Sequence, residues 1–111
     1  MVESNVLSIA RAYLKRCTEL VRGLARQLGV NYAPWPDVRQ RMTDCQLDPV
    51  ELANFLGDAE VKETECMFGM TRYRLESEDI AERIESATVA IHSESQTIEI
   101  IVLRIKGDHH G

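Results

Sequence analysis

The sequence predicts an α+β fold: N-terminal helices packed on a four-stranded, mainly antiparallel sheet, made of two hairpins with an intervening helix. Three observations predict it. Apolar residues recur at helical spacing from Leu7 to Leu28, a fully punctuated helical segment covers 47–57, and strand-like alternation begins at Val61. Helical signals followed by strand signals are typical of α+β rather than of regularly alternating α/β architecture.

The first segment carries an apolar heptad pattern at alternating spacings of three and four. Its members are Leu7, Ala10, Leu14, Cys17, Val21, Leu24 and Leu28. With Val6, Tyr13 and Leu20 beside them, the apolar arc covers roughly 140° of a helix. That width suits a helix packed on a sheet or in a bundle, so we expect the seam from Val6 to Leu28 to be buried. Gly29 is expected to cap this helix.

Residues 30–36, VNYAPWP, are expected to form a connector. Pro34 and Pro36 each lack a backbone donor and bias the preceding residue toward extended shapes. The ring of Trp35 is expected to plug an edge of the core. A short helix is expected over 37–43.

Residues 47–57, LDPVELANFLG, carry the start and stop signals of a helix. Asp48 is a natural N-cap, and Pro49 suits the first helical position. Glu51 completes a capping box with Asp48. Gly57 is expected to end the helix.

Strand signals begin after this helix. VKETECMF and TRYRLE flank Gly69 and Met70, which predicts a hairpin, and alternate residues of TRYRLE would face opposite sides of the sheet. A second hairpin is predicted from TVAIH and TIEIIVLRI, the latter apolar enough to be covered on both faces. Between the hairpins, SEDIAERIESA at 77–87 predicts a helix capped by Ser77, with Ile80 and Ile84 on its inner face.

A length of 111 residues is that of one domain. We therefore expect residues 1–111 to form a single α+β domain with mobile ends at 1–5 and 107–111. The N-terminus lacks the features of a signal peptide, and the apolar run at 100–103 is far too short for a membrane span. A cytoplasmic location is expected, without contact to a membrane.

The cysteines are odd in number and far apart in the chain: Cys17, Cys45 and Cys66. Their spacing predicts neither a disulfide framework nor a zinc cage. No phosphate-binding glycine loop or metalloprotease motif occurs in the chain. We therefore expect no metal, no cofactor and no catalytic residues, and we favour a protein that is not an enzyme.

Charge is unevenly distributed along the chain, whose formal net charge is −5. Residues 1–42 hold seven basic and three acidic residues, a balance of +4, whereas residues 43–111 hold six basic and fifteen acidic residues, a balance of −9. On the first helix, four cations share one exposed face nearly opposite the apolar arc: Arg11, Lys15, Arg22 and Arg26. A solvated helix face is the simplest interpretation.

Acidic residues form a second set, at Glu78, Glu82 and Glu85 on the predicted 77–87 helix, with Glu60 on the first hairpin. Together with the missing catalytic motifs, they favour a small intracellular protein that binds another protein with a basic surface. An adaptor, an inhibitor, a chaperone or an immunity-type protein would fit.

Three alternatives stay open. The first helix could pair with a copy of itself to form a homodimer. Its basic face could associate weakly with nucleic acid, although four cations neutralise only about three or four phosphates. A small enzyme could use a cleft around His92, Tyr73 and an acid, although His92, Ser93 and Glu94 are strand neighbours and are not a preformed triad.

Overall fold

In a computed structural model of the chain, the backbone is described for residues 2–107 and side chains from residue 9 onward. These residues form three helices and a five-stranded mixed sheet, so the predicted α+β class is confirmed. The elements are α1 (Val2–Ala25), β1 (Asn31–Pro34), α2 (Pro36–Asp44), α3 (Pro49–Asp58), β2 (Glu60–Met67), β3 (Met70–Glu76), β4 (Ile84–His92) and β5 (Thr97–Ile105).

The sheet has one strand more than the four predicted. Its order is β1-β5-β4-β3-β2, with antiparallel pairing from β2 to β5. The extra strand lies in the predicted connector at 30–36 and pairs parallel to β5, with Asn31 opposite Thr97 and Pro34 opposite Ile100. An edge position tolerates Pro34, since a proline there removes no ladder bond on the solvent side.

The two predicted hairpins are confirmed. Phe68 and Gly69 connect β2 to β3 with positive φ angles of 54° and 74°, the backbone that suits a two-residue turn between right-twisted strands. The predicted alternation of β3 also holds. Leu75 is fully buried and Tyr73 packs against the core, while Arg72 lies on the opposite face.

The core lies between the helices and one face of the sheet. From α1 it takes Cys17, Val21 and Leu24, with Leu14 packed beside them, which confirms the middle of the predicted seam. The buried seam is shorter and narrower than predicted. Ala10 is exposed, α1 ends at Ala25 with Leu28 96% exposed, and Tyr13 and Leu20, which were expected to widen the seam, are exposed as well. The largest fully buried side chains of the core are Phe55, Leu52, Leu56, Leu75, Ile84, Ile98, Ile100, Val21, Val38 and Val89.

The helix predicted at 77–87 does not form. Residues 77–83 are a loop, and Ile84 is already the buried first residue of β4. The Ser77 hydroxyl accepts from the Asp79 N–H at 3.1 Å, and the Asp79 carboxylate accepts from the Ala81 N–H at 3.0 Å. Such local side-chain bonds compete with helix formation, and Ile80, 93% exposed, has no core to pack against.

The prediction that β5 is covered on both faces is also wrong. Val102 is 46% exposed and Arg104 is exposed, because the helices cover only the opposite face of the sheet. Ile100 and Ile101 are both buried next to a register shift between Thr88 and Val89, which interrupts the alternation of the ladder.

The helices α2 and α3 occur as predicted, within one or two residues. The Asp48 side chain accepts from the Val50 N–H at 2.8 Å, which confirms the N-cap. The helix α3 extends to Asp58, so Gly57 lies inside the last turn and is not the terminator.

At the chain ends, residues 2–5 belong to α1, whereas Met1 and residues 108–111 of the predicted mobile ends lie outside the described residues. No helix in the described part of the chain is both long and apolar enough to cross a bilayer.

Candidate functional site

The face of the sheet opposite the helices is uncovered and polar, and we call it the open face. Strand register places its side chains in cross-strand rows: Glu63, Arg74, Thr88 and Val102 form one row, and Glu65, Arg72, Ala90 and Glu99 form the next. A third row contains Glu76, Ser86 and Arg104.

Arg74 lies in the middle of the open face. Its guanidinium donates to Glu63 Oε2 from Nε at 3.2 Å and forms a second ion pair with Glu76. The hydrogen bond from Arg74 holds the pKa of Glu63 below its usual value, and the two carboxylates raise the pKa of Arg74. These three charges therefore hold one another in place.

A hollow of about 620 Å³ lies on the open face. It is lined by Arg74, Glu76, Ser77, Glu85, Ser86, Thr88, Val102 and Arg104. The walls combine two carboxylates and two guanidinium groups with one exposed apolar side chain, Val102. Of the four acidic residues expected to bind a partner, Glu85 lies here.

A cluster of side chains around Trp35 lies at the β1 end of the open face. The Trp35 indole N–H donates to Glu99, and His92 Nε2 lies 3.0 Å from the other Glu99 oxygen. The hydrogen bond with His92 is the main reason that the pKa of Glu99 is lowered, and the hydrogen bond from Trp35 is the next largest. The guanidinium carbon of Arg72 lies 5.8 Å from the Trp35 ring centroid, a cation–π distance. Trp35 therefore lies on the open face, 36% exposed, and not at the core edge as expected.

The position of Arg72 follows from its small neighbour. Arg72 is directly opposite Ala90, whose methyl group leaves room for the long side chain to cross toward Trp35. Arg72 Nε is buried and has no hydrogen-bond partner among the described residues. Such an unmet donor costs about 1–3 kcal/mol, and the cation–π contact with Trp35 offsets part of this cost.

Two of the four predicted basic residues are bound to the protein itself. Arg22 donates to the carbonyl oxygens of Ala59 (3.0 Å) and Asp58 (2.6 Å), and Arg26 donates to that of Gly57 (2.6 Å). The last carbonyls of a helix have no partner within the helix and attract cations. Arg22 and Arg26 thus cap the C-terminus of α3, which does not favour their use for phosphates. Nucleic-acid association stays a prediction.

The other two basic residues border a groove between α1 and β2, with a volume of about 380 Å³. It is lined by Arg11, Leu14, Lys15, Thr18, Arg22, Glu60, Val61 and Lys62. Lys62 pairs with Glu60 at 3.2 Å and with Glu78 at 3.9 Å. Arg11 and Lys15 form no ion pair or hydrogen bond with any side chain that the structure describes.

The predicted acidic residues do not form one stripe, since their helix is absent. Lys62 brings Glu60 and Glu78 together. Glu82 lies apart from them. Burial is the main reason that the pKa of Glu82 is raised, and the negative charges of Asp79 and other acidic residues raise it further.

Arg83 has a structural role that the sequence patterns did not predict. It forms two hydrogen bonds with the Glu51 carboxylate, at 2.7 and 2.8 Å, and donates to the carbonyl oxygens of Cys45 and Gln46. Its contacts fasten the 77–83 loop to the connection between α2 and α3. No local pattern could have shown this, because Glu51 is 32 residues away in the chain.

Glu51→Gln is expected to make stability less dependent on pH under acidic conditions. The hydrogen bond from Arg83 is the main reason that the pKa of Glu51 lies below its ordinary value of 4.5, and the Asp48 backbone adds to it. The ionised carboxylate therefore contributes its full stabilisation at pH values above the ordinary pKa. This contribution is lost as the pH falls through the lowered pKa. Urea unfolding of both proteins between neutral and acidic pH measures the difference.

The stability difference between the parent and Glu51→Gln should be constant near neutral pH and shrink as the solution becomes acidic. Glu94→Gln, in the exposed β4–β5 turn, controls for the loss of one surface charge. A difference that grows on acidification would contradict the assigned role of the ion pair.

The structure does not bring together His92 and Tyr73, the centre of the enzyme alternative. His92 lies on the open face, whereas Tyr73 packs against the core on the other face of the sheet. Among the described residues, no three His, Cys, Asp or Glu side chains are grouped so that they could hold a metal ion.

Comparison of the chain with protein-family models, curated proteins and solved structures found no match. What the protein binds is therefore inferred from the geometry and charge of its own surfaces, above all the open face and the groove between α1 and β2.

Proposed function

We propose that this protein is a protein-binding module of the adaptor, inhibitor, chaperone or immunity type, and that its open face docks on a basic surface of a folded partner. The observation that carries the proposal is that one whole face of a five-stranded sheet is left uncovered by the helices. Antiparallel sheets commonly expose one polar face to water. On the open face the polar side chains are joined by ion pairs, from Arg74 to Glu63 and Glu76 and from His92 to Glu99.

The side chains of the open face are of the kinds that dominate binding energy. Tryptophan and arginine are enriched among the residues that matter most in protein interfaces. Arg72 lies at cation–π distance from the Trp35 ring, and the Trp35 indole N–H donates to Glu99. Arg74 is held by Glu63 and a second carboxylate. Side chains that are already fixed lose less conformational entropy when a partner binds.

Charge favours a basic partner. The acids of the open face and its bordering hollow outnumber the arginines: Glu63, Glu65, Glu76, Glu85 and Glu99 against Arg72, Arg74 and Arg104. Glu60, one of the predicted partner-binding acids, is directly opposite Glu76 in the β2–β3 ladder and extends the negative region. Complementary charge steers association and excludes partners of the wrong sign.

Glu85→Lys and, separately, Val102→Lys are expected to abolish capture of the partner. Both side chains line the hollow of the open face and are exposed, so the fold should tolerate lysine there. The immobilised parent and variants are incubated with native lysate of the producing cells, treated with nuclease, and the bound proteins are quantified by mass spectrometry. Proteins with basic surfaces should be retained by the parent and lost from both variants.

Glu94→Lys is the matched control, because it makes the same charge change in the turn at the other end of β4. It should retain the same proteins as the parent. Equal retention by Glu85→Lys, Val102→Lys and the parent would refute docking on the open face. Capture that disappears after nuclease treatment would also refute it, in favour of bridging by nucleic acid.

A further inference from the structure

The groove between α1 and β2 has a regular geometry. Arg26 bonds to Gly57, Arg22 to Ala59 and Thr18 to Val61, so that each helical step of four residues matches two residues of the facing chain. Four residues of helix rise about 6 Å, and two residues of strand advance about 6.6 Å. The helix α1 therefore runs antiparallel to the segment that passes from the last turn of α3 into the start of β2.

Beyond Thr18 this series of contacts stops and the groove opens. Lys15 and Arg11 are one turn apart and continue the same face of α1. They border the groove without a protein partner among the described side chains. Arg22 and Arg26 thus hold α1 to the end of α3, and Thr18 holds it to the start of β2. Beyond Thr18, a cationic channel separates α1 from β2.

The floor of this channel is a sheet edge. β2 is the last strand in the order β1-β5-β4-β3-β2, so one row of its backbone groups has no neighbouring strand. In that row, the Val61 N–H donates to Thr18 Oγ1 at 2.9 Å. Among the described residues, no other side chain forms a hydrogen bond with this row of backbone groups. An open strand edge beside a helix is a template for an added extended peptide.

We propose that the groove between α1 and β2 binds an extended acidic segment of a partner protein, which adds a strand at the outer edge of β2. Its carboxylates on the helix side pair with Arg11 and Lys15, while Lys62 and Arg22 are already fixed by protein contacts and line the groove. This site is separate from the open face and goes beyond the proposed function.

The same geometry predicts which residues alternate in the bound segment. Side chains of the added strand that point away from α1 would lie beside Glu63 and Glu65 on the open face. Like charges in adjacent strands destabilise a sheet, so these positions require uncharged or basic residues. The preferred segment therefore alternates acids, toward Arg11 and Lys15, with residues that are not acidic.

Two other occupants fit less well. Pairing of β2 with β2 of a second copy would bring two sets of glutamates together at one seam, which opposes it. A nucleic acid would find no aromatic side chain among the lining residues on which to stack a base, and it lacks the backbone amides that a strand edge requires.

The test uses a fluorescein-labelled peptide in which glutamate alternates with threonine, titrated against the full chain and followed by fluorescence anisotropy. Lys15→Glu should weaken binding about tenfold, because a single rim cation becomes an anion. Arg16→Glu is the matched control, since it reverses the neighbouring charge on α1 but does not line the groove, and it should leave the affinity within twofold of the parent, a difference of about 0.4 kcal/mol.

Three measurements can overturn the proposal. The same peptide with alternate backbone nitrogens methylated on its pairing side should lose affinity and fail to protect the amides of Thr64 and Cys66, which face away from β3, from hydrogen exchange. Equal binding of this methylated peptide, equal weakening by Arg16→Glu, or tighter binding of an oligothymidylate of equal charge would each refute strand addition. Glu85→Lys should leave peptide affinity unchanged, so that failure here and failure of the open face are distinguished.

Discussion

Phe55→Ala is expected to lower the free energy of unfolding by about 3–5 kcal/mol. Phe55 lies in the middle of α3, is fully buried, and is the largest of the fully buried side chains. Truncation removes its ring from contact with the core and leaves a cavity between α3 and the sheet that the neighbouring elements cannot fill. Because domains of this size are stable by only about 5–15 kcal/mol, the loss is a large fraction of the total.

Urea unfolding, followed by far-ultraviolet circular dichroism and by the fluorescence of Trp35, measures the effect of Phe55→Ala. Phe68→Ala is the matched control, since Phe68 is 96% exposed at the tip of the β2–β3 turn. The control should change stability by less than about 0.5 kcal/mol. Equal effects of the two substitutions would show that α3 does not pack on the sheet as described.

Arg22→Met is expected to destabilise the protein by about 2 kcal/mol. Methionine preserves much of the aliphatic stem but removes the donors to the carbonyl oxygens of Asp58 and Ala59. Ala59 is fully buried, so its carbonyl would lose a partner in a place that water reaches poorly. The loss would also free α1 from the C-terminus of α3.

The stability of Arg22→Met is compared with that of Arg16→Met by urea unfolding. Arg16 is exposed on the same helix and forms no ion pair or hydrogen bond with the side chains that the structure describes, so its substitution should have little effect. Hydrogen exchange should show faster opening of the last turn of α3 in Arg22→Met alone. If both variants are as stable as the parent, Arg22 is a solvated surface residue, as the simplest interpretation of the sequence predicts.

Sequence patterns correctly predicted the features that depend on near neighbours. The N-cap at Asp48, the turn after β2 and the alternation of Arg72 and Arg74 with apolar residues are decided within a few residues. The burial of Cys17, Val21 and Leu24 follows from helical periodicity in the same way. For the candidate sites, the sequence placed Arg11, Lys15, Arg22 and Arg26 on one helix face, but it did not indicate that Arg22 and Arg26 bind the end of α3.

Errors occurred where distant parts of the chain compete. Residues 77–83 have helical periodicity, yet their ends are held by Ser77, Asp79 and the Arg83–Glu51 ion pair, and Ile84 is taken into the sheet. The strand at Asn31–Pro34 contains a proline and depends on a parallel neighbour more than sixty residues away. Neither outcome has a local signature.

The amino-acid order alone therefore specified the buried middle of α1, the N-cap of α3, the hairpins and the uneven distribution of charge, because these arise from backbone geometry and contacts between close neighbours. Folding in three dimensions decided the fifth strand, the capping of α3 by Arg22 and Arg26, and which face of the sheet stays uncovered. Those features depend on how few helices are available to cover a broad sheet, and on which buried carbonyls come within reach of a cation.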